Sequence, residues 1–83
     1  MTVVVSRQAA KYLMRLSEPY KSRVIKALKK LELEPLQGDI KGLVGKDGYR
    51  LRIGDYRALF DIDDNTIIIH AIVPRGQVYK GGF

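Results

Sequence analysis

The stretch of sequence that decides the fold runs from residue 48 to residue 60 and reads GYRLRIGDYRALF. Apolar and polar side chains alternate in two segments, 49–53 and 56–62. Between these segments lies Gly54-Asp55, a pair typical of a two-residue turn that needs a positive φ at glycine. The pattern predicts a β-hairpin whose strands present alternate side chains to opposite faces.

The turn also fixes which residues of the hairpin lie opposite each other. With Gly54-Asp55 as the whole loop, Arg52 faces Arg57 across the two strands. Arg50 then faces Leu59. The three arginines point to one face, away from the apolar side chains. Like charges directly opposite on a sheet destabilise it by up to about 1 kcal/mol, so this arrangement needs an explanation.

The arginine cluster has two interpretations. Asp61 lies on the same predicted face and can offset only one of the three charges. A ligand that supplies negative charge would complete the balance, and the planar guanidinium of arginine fits phosphate oxygens particularly well. The alternative is a solvated face on which the arginines pair with Asp61 and its neighbours.

The N-terminal half of the chain predicts one strand and two helices. Residues 2–6 (TVVVS) form a β-branched run, and Ser6 can cap a helix through RQAAKYLMRL at 7–16. Pro19 then lies in the first turn of a second helix, which extends from about residue 18 to residue 33.

The C-terminal half adds the remaining strands. A glycine-rich connection at 35–48 leads to the hairpin, and Asp64-Asn65 then leads into a further strand at 66–73. The predicted fold class is α+β, with two N-terminal helices packed on a small, largely antiparallel sheet in the order β-α-α-β-β-β. We expect residues 1–83 to form a single domain, because a chain of 83 residues supports one modest core.

Composition limits the classes of function. The chain has no cysteine, which excludes disulfides and cysteine-based metal sites, and we find no metal-ligand spacing or phosphate-loop pattern that predicts a cofactor. The N-terminus lacks a signal-peptide pattern and the apolar runs are too short to span a bilayer, so we expect a cytoplasmic protein. The net charge of +6, with eight basic residues and one acid among the first thirty, favours nucleic acid or another acidic partner.

Two candidate residues follow the last strand, in PRGQVYK at 74–80. If that strand lies beside 56–62, Arg75 and Tyr79 lie near the turn of the hairpin and near its arginines. Neighbouring cations favour the phenolate form of a tyrosine and so ease proton transfer, and the ring can also stack on an exposed base. The alternative is a tyrosine that packs the tail.

Four other residues are weaker candidates. His70, the only histidine, lies within TIIIHAIV, and this position favours a role in packing on the sheet over a catalytic one. If Asp64-Asn65 is a two-residue turn, however, His70 lies on the same face as the arginines. Lys26 and Lys30 belong to the basic side of the second helix, which is ordinarily solvated but could widen an RNA footprint. Lys46 lies in the connection and reaches the arginines only if that segment folds over them.

Three consecutive segments of the sequence carry a family resemblance: YRLRIGDYRALFDID, a β-rich run and VPRGQVYK. Together they resemble the RelE/ParE superfamily of toxins from type II toxin–antitoxin systems. The resemblance covers the element order of the whole chain, its specific part lies within 49–80, and it is closest to the RelE-like mRNA interferases. It implies a small ribonuclease that enters the ribosomal A site and cuts mRNA during translation. It also implies a RelB-like antitoxin that wraps the toxin and holds it inactive.

The resemblance assigns roles by position. Arg57 and Arg75 fall on arginines that would hold the phosphate, Arg52 on a basic residue for the phosphate or the leaving group, and Arg50 on an RNA-binding residue. Tyr79 falls on the C-terminal tyrosine, with a role in proton transfer or base stacking. The implied reaction is attack of a ribose 2′-OH on the adjacent phosphate, which leaves a 2′,3′-cyclic phosphate and a 5′-OH. Preorganised cations stabilise the charge that develops in its transition state.

The sequence departs from the family at the two positions where lysine is common. Arg50 and Arg52 stay protonated, so a lysine cannot act there as the general base. Tyr79, or the ribosomal RNA, becomes the better candidate for the general base. Lys46 could take this role only if the connection at 35–48 folded over the site.

Two alternative functions share the same fold. The first is a ParE-like toxin that inhibits DNA gyrase by binding it. The second is a degenerate toxin that binds RNA without cutting it, which is compatible with the loss of the lysines. The set of arginines with Tyr79 favours the nuclease, because a gyrase-binding surface does not need a phosphate site.

Overall fold

The computed structural model describes residues 1–33, 38–45 and 47–76, and its elements confirm the predicted fold class. Two helices pack on a five-stranded mixed sheet. The elements in chain order are β1 (Thr2–Val5), α1 (Arg7–Arg15), α2 (Tyr20–Leu33), β2 (Asp39–Gly42), β3 (Tyr49–Ile53), β4 (Tyr56–Asp63) and β5 (Thr66–Pro74).

The strands lie in the order β1-β5-β4-β3-β2 across the sheet. β5 pairs in parallel with β1, and every other pair is antiparallel, so the sheet is largely antiparallel as predicted. The C-terminal half of the chain therefore builds the centre of the sheet, and the N-terminal strand completes one edge.

The strand β2 was not predicted, because residues 35–48 were expected to form only a connection. Asp39 pairs with Arg52 and Gly42 pairs with Tyr49, so this strand forms the edge beside β3. Four residues, DIKG, are too few to show a strand by alternation, and their pairing depends on the edge that β3 offers. Ile40, opposite Leu51, packs against the core.

The start of α1 follows the prediction. The Ser6 hydroxyl accepts a hydrogen bond from the backbone N–H of Ala9 (3.1 Å) and donates one to the carbonyl oxygen of His70 (2.8 Å). The first contact satisfies an N–H that the helix itself leaves unpaired. The second ties the start of the helix to β5.

The core lies between the helices and one face of the sheet. In the part of the chain that the structure describes, every fully buried residue is apolar. The cluster consists of Ala9, Val24, Leu28, Leu31, Leu51, Ala58, Phe60, Ile67, Ile69 and Ile72. We call this side of the sheet the helix face. Neither of the two helices is long and apolar enough to span a membrane.

The opposite side of the sheet, which carries Arg50, Arg52 and Arg57, is named the open face. Its alternation is interrupted once, by a β-bulge between β4 and β5. Leu59 pairs with Ala71, but the next residue along β4 pairs with Ile69. His70 is therefore the extra residue of β5 at this point.

Candidate active site on the open face of the sheet

The hairpin has the register that the sequence predicts. Arg52 lies directly opposite Arg57, and Arg50 lies directly opposite Leu59. Gly54 adopts a φ of +59°, as the two-residue turn requires. Side chains directly opposite each other on a sheet have Cβ atoms about 5 Å apart, so three guanidinium groups share a small area of the open face.

Arg57 is fixed at the turn by its own hairpin. Its Nη1 donates hydrogen bonds to the carbonyl oxygens of Gly54 and Tyr56, each at 2.9 Å. Burial lowers the pKa of Arg57, and the charges of Arg52, Arg50 and Arg75 lower it further. A guanidinium remains protonated despite such shifts, and the lowered pKa indicates that burial and the neighbouring cations disfavour the positive charge of Arg57.

Arg75 returns to the turn after the last strand, as expected from the sequence. Its backbone N–H donates to the carbonyl oxygen of Asp55 at 2.7 Å, and Pro74 pairs with Tyr56. The end of β5 therefore brings a fourth arginine close enough for its charge to act on Arg57.

Arg50 has an unusual environment for a cation. Its Nη1 atom is buried, and no acceptor for it exists among residues 1–33, 38–45 and 47–76. A buried donor without an acceptor costs about 1–3 kcal/mol of stability.

Two residues of β2 also belong to the open face, and the sequence analysis missed both. Asp39 lies opposite Arg52 and Lys41 opposite Arg50. The Arg52 Nη1 and Asp39 Oδ2 atoms are 3.9 Å apart, and both side chains are about half exposed. Such a pair contributes little. The charged residues on either side of Ile40 were the only sequence signal for this strand.

Within the described ranges, Asp61 forms no ion pair with an arginine. Its Oδ2 atom lies 2.6 Å from Nε2 of His70, and both side chains are partly exposed. His70 thus lies on the open face, as a two-residue turn at Asp64-Asn65 implies, and Asp63 does pair with Thr66 across that turn. The carboxylate expected to offset one guanidinium is bound to the imidazole instead.

The remaining candidates do not join this cluster in the described part of the chain. Lys26 and Lys30 are exposed on α2, whose Val24 and Leu28 pack on the helix face. These lysines therefore lie on the other side of the sheet from the arginines, and their role in RNA binding stays a prediction. Lys46 and Tyr79 lie outside the described residues.

The family model described as "ParE toxin of type II toxin-antitoxin system, parDE" matches residues 3–79. The chain belongs to this toxin family. The match begins at the second residue of β1 and includes both helices and the other four strands in full. It confirms the resemblance to the RelE/ParE superfamily that the hairpin and the tail predicted.

Solved structures of toxin–antitoxin systems have the same fold. A chain of the archaeal RelE-RelB complex from Pyrococcus horikoshii OT3 is 32% identical, with a TM-score of 0.79 over 92% of this chain and 96% of that chain. A chain of the toxin-antitoxin complex RelBE2 from Mycobacterium tuberculosis is 29% identical, with a TM-score of 0.77 over 89% and 96%. The isolated RelE toxin of E. coli, at 19% identity, has a TM-score of 0.71 over 95% and 90% and supports the fold alone. A comparison with curated proteins gave no match.

Proposed function

We propose that this toxin is a ribosome-dependent endoribonuclease that cuts mRNA in the A site. One observation carries the proposal: four arginines converge at the hairpin turn and its open face, and the buried Nη1 of Arg50 has no acceptor among the described residues. A cluster of guanidinium groups with so little compensating charge fits a ligand rich in phosphate.

The arginines have distinct roles in the proposed reaction. Arg57 and Arg75 hold the phosphate that is attacked, Arg52 contacts the phosphate or the leaving group, and Arg50 binds the RNA beside them. The ribose 2′-OH attacks the phosphorus, and the negative charge that grows on the phosphate oxygens is stabilised by cations already in position. Tyr79 serves in proton transfer or stacks on a base.

The proposed partners follow from the toxin class and from the charge of the site. The relatives from Pyrococcus horikoshii and Mycobacterium tuberculosis are toxin–antitoxin complexes. By analogy, a RelB-like antitoxin binds this chain in a hetero-oligomer and keeps it from the ribosome. Residues 1–83 act as one toxin domain, and translation places the activity in the cytoplasm. Lys26, Lys30 and Lys46 are proposed to widen the contact with RNA.

A second candidate is inhibition of DNA gyrase by binding. The match to the ParE toxin family favours this alternative. The two functions make different demands on the open face, since only the nuclease needs arginines aimed at a phosphate undergoing reaction.

Primer extension on a message translated in a reconstituted system tests the proposal, with a gyrase supercoiling assay run alongside. We expect discrete cuts within the A-site codon from the wild-type toxin and weakened cuts from Arg57→Ala. An intact message with inhibited supercoiling would support gyrase binding instead. If neither activity appears, the toxin binds RNA without cutting it, or acts on another target, and the proposal is wrong.

A further inference from the structure

The hydrogen-bonded Asp61–His70 pair is a close side-chain contact on the described open face that has no part in the reaction as proposed above. Oδ2 of Asp61 and Nε2 of His70 are 2.6 Å apart, a separation typical of strong, charge-assisted hydrogen bonds. The two residues come from adjacent strands, and their side chains remain 43% and 35% exposed. The pair is therefore accessible to a bound nucleotide.

Both members of the pair are held by local features of the backbone. His70 is the extra residue of the β-bulge, and its carbonyl oxygen accepts the hydrogen bond from Ser6. Asp61 lies against Gly48, where an added Cβ would come within 2.8 Å of Oδ1. Bulges commonly orient a side chain next to an active site, and glycine here leaves room for the carboxylate.

The pair lies beside the arginines on the same face. Along β4, Asp61 is two residues beyond Leu59, which pairs with Arg50. Two residues of a strand correspond to about 7 Å. The pair is therefore within reach of a ribose next to a phosphate held at Arg50.

The part of the arginine site that the structure describes contains no proton acceptor of its own. Arg50, Arg52, Arg57 and Arg75 all stay protonated, so none can take the proton of the 2′-OH. Imidazole is the side chain that most often takes up and releases protons near neutral pH, and a carboxylate partner orients the ring and stabilises its charged form.

We propose that Asp61 and His70 together form the general base of the reaction, an inference that rests on the proposed ribonuclease function. The O–H bond of the attacking 2′-OH breaks, and its proton passes to the Asp61–His70 pair. The 2′-oxygen forms a bond to phosphorus as the bond from phosphorus to the 5′-oxygen breaks. The departing 5′-oxygen takes a proton from water, which leaves a 2′,3′-cyclic phosphate and a 5′-OH.

The test is single-turnover cleavage of A-site mRNA on programmed ribosomes, at saturating toxin. His70→Gln keeps a hydrogen-bond donor for Asp61 but cannot accept the proton, and we expect cleavage to slow by about 100-fold or more. We expect a smaller loss for Asp61→Asn, about tenfold, because the imidazole remains but loses its charged partner. Saturating toxin ensures that the rate reports the chemical step and not ribosome binding.

Two controls separate proton transfer from structure. Asp63→Asn makes the same chemical change two residues along β4 and should cleave at the wild-type rate. Free imidazole should raise the cleavage rate of His70→Ala at least tenfold, since an added base can replace a missing one but cannot repair a distorted sheet. Urea unfolding of each variant identifies any that are destabilised.

Wild-type cleavage by His70→Gln would overturn the inference and leave the ribonuclease function intact. So would a loss in His70→Ala that imidazole does not reverse. If the wild-type toxin itself makes no cut, the proposed function fails and the inference fails with it.

Discussion

The two faces of the sheet differ in how well the chain's own residues satisfy the side chains that lie on them. On the helix face, Phe60 and Ile69 have no exposed surface and pack among apolar neighbours that the same chain supplies. On the open face, Arg52 has a single distant carboxylate at 3.9 Å and a buried nitrogen of Arg50 has no acceptor among the described residues. The fold satisfies the helix face by itself, and we propose that a bound partner satisfies the open face.

The difference shows that the unfavourable electrostatic interactions of this small domain, the repulsion between clustered arginines, lie on the open face. Alternate residues of β3 and β4 serve opposite purposes, so Leu51 is buried in the core while Arg50 and Arg52 collect positive charge. Sequences usually satisfy packing, charge and hydrogen bonding together, and departures from this consistency are expected at functional sites. Substitutions on the two faces should therefore separate stability from activity.

The largest effect on stability is expected on the helix face, from Phe60→Ala. Phe60 has the largest fully buried side chain in the described part of the chain, and its ring stacks on that of Tyr49 with 5.6 Å between centroids. Removing it leaves a cavity and should lower the free energy of unfolding by about 3–5 kcal/mol. Urea denaturation followed by circular dichroism measures this change. A loss below about 1 kcal/mol would mean that the helix face does not hold the fold.

Arg50→Met should have a smaller effect, of the opposite sign. Methionine keeps the aliphatic stem and removes one of the clustered charges. It also removes the buried Nη1, which has no acceptor among the residues that the structure describes. We expect the free toxin to become more stable by about 1 kcal/mol. The matched control is Arg52→Met, whose guanidinium is exposed and whose replacement should change stability by less than about 0.5 kcal/mol. Destabilisation by Arg50→Met in the same urea experiment would show that the fold itself needs this cation.

The smallest effect is expected from Asp39→Asn on the edge strand. Its contact with Arg52 is long and solvated, so the free energy of unfolding should change by less than about 0.5 kcal/mol. The same denaturation experiment provides the measurement. A loss above about 1 kcal/mol would contradict the description of the open face as poorly compensated by its own chain.

The sequence predicts the hairpin because its determinants are local. The positions of Arg52 and Arg57 follow from strand alternation and from the turn at Gly54-Asp55, which needs no knowledge of the rest of the fold. The cap formed by Ser6 is local in the same sense. These features decide which arginines share a face, and so most of the described site could be predicted.

Two features could not be predicted because they depend on partners distant in the chain. The strand β2 exists only through its pairing with β3, so neither Asp39 nor Lys41 could be assigned to the open face from four residues of sequence. The bulge at His70 lies in TIIIHAIV, a run that is otherwise apolar after Thr66, and one polar residue in such a run does not show where the strand pairing shifts. Its pairing with Asp61 follows from the register between β4 and β5.

The central claim is that the open face serves a phosphate ligand and not the fold, and Arg57→Ala tests it most directly. Its unfolding free energy and its cleavage of A-site mRNA should be measured on one preparation. We predict stability within about 1 kcal/mol of the wild type, because two hydrogen bonds are lost but repulsion with Arg52 is relieved. We predict cleavage reduced by about 100-fold or more. Wild-type cleavage, or a loss of activity explained by unfolding, would contradict the claim.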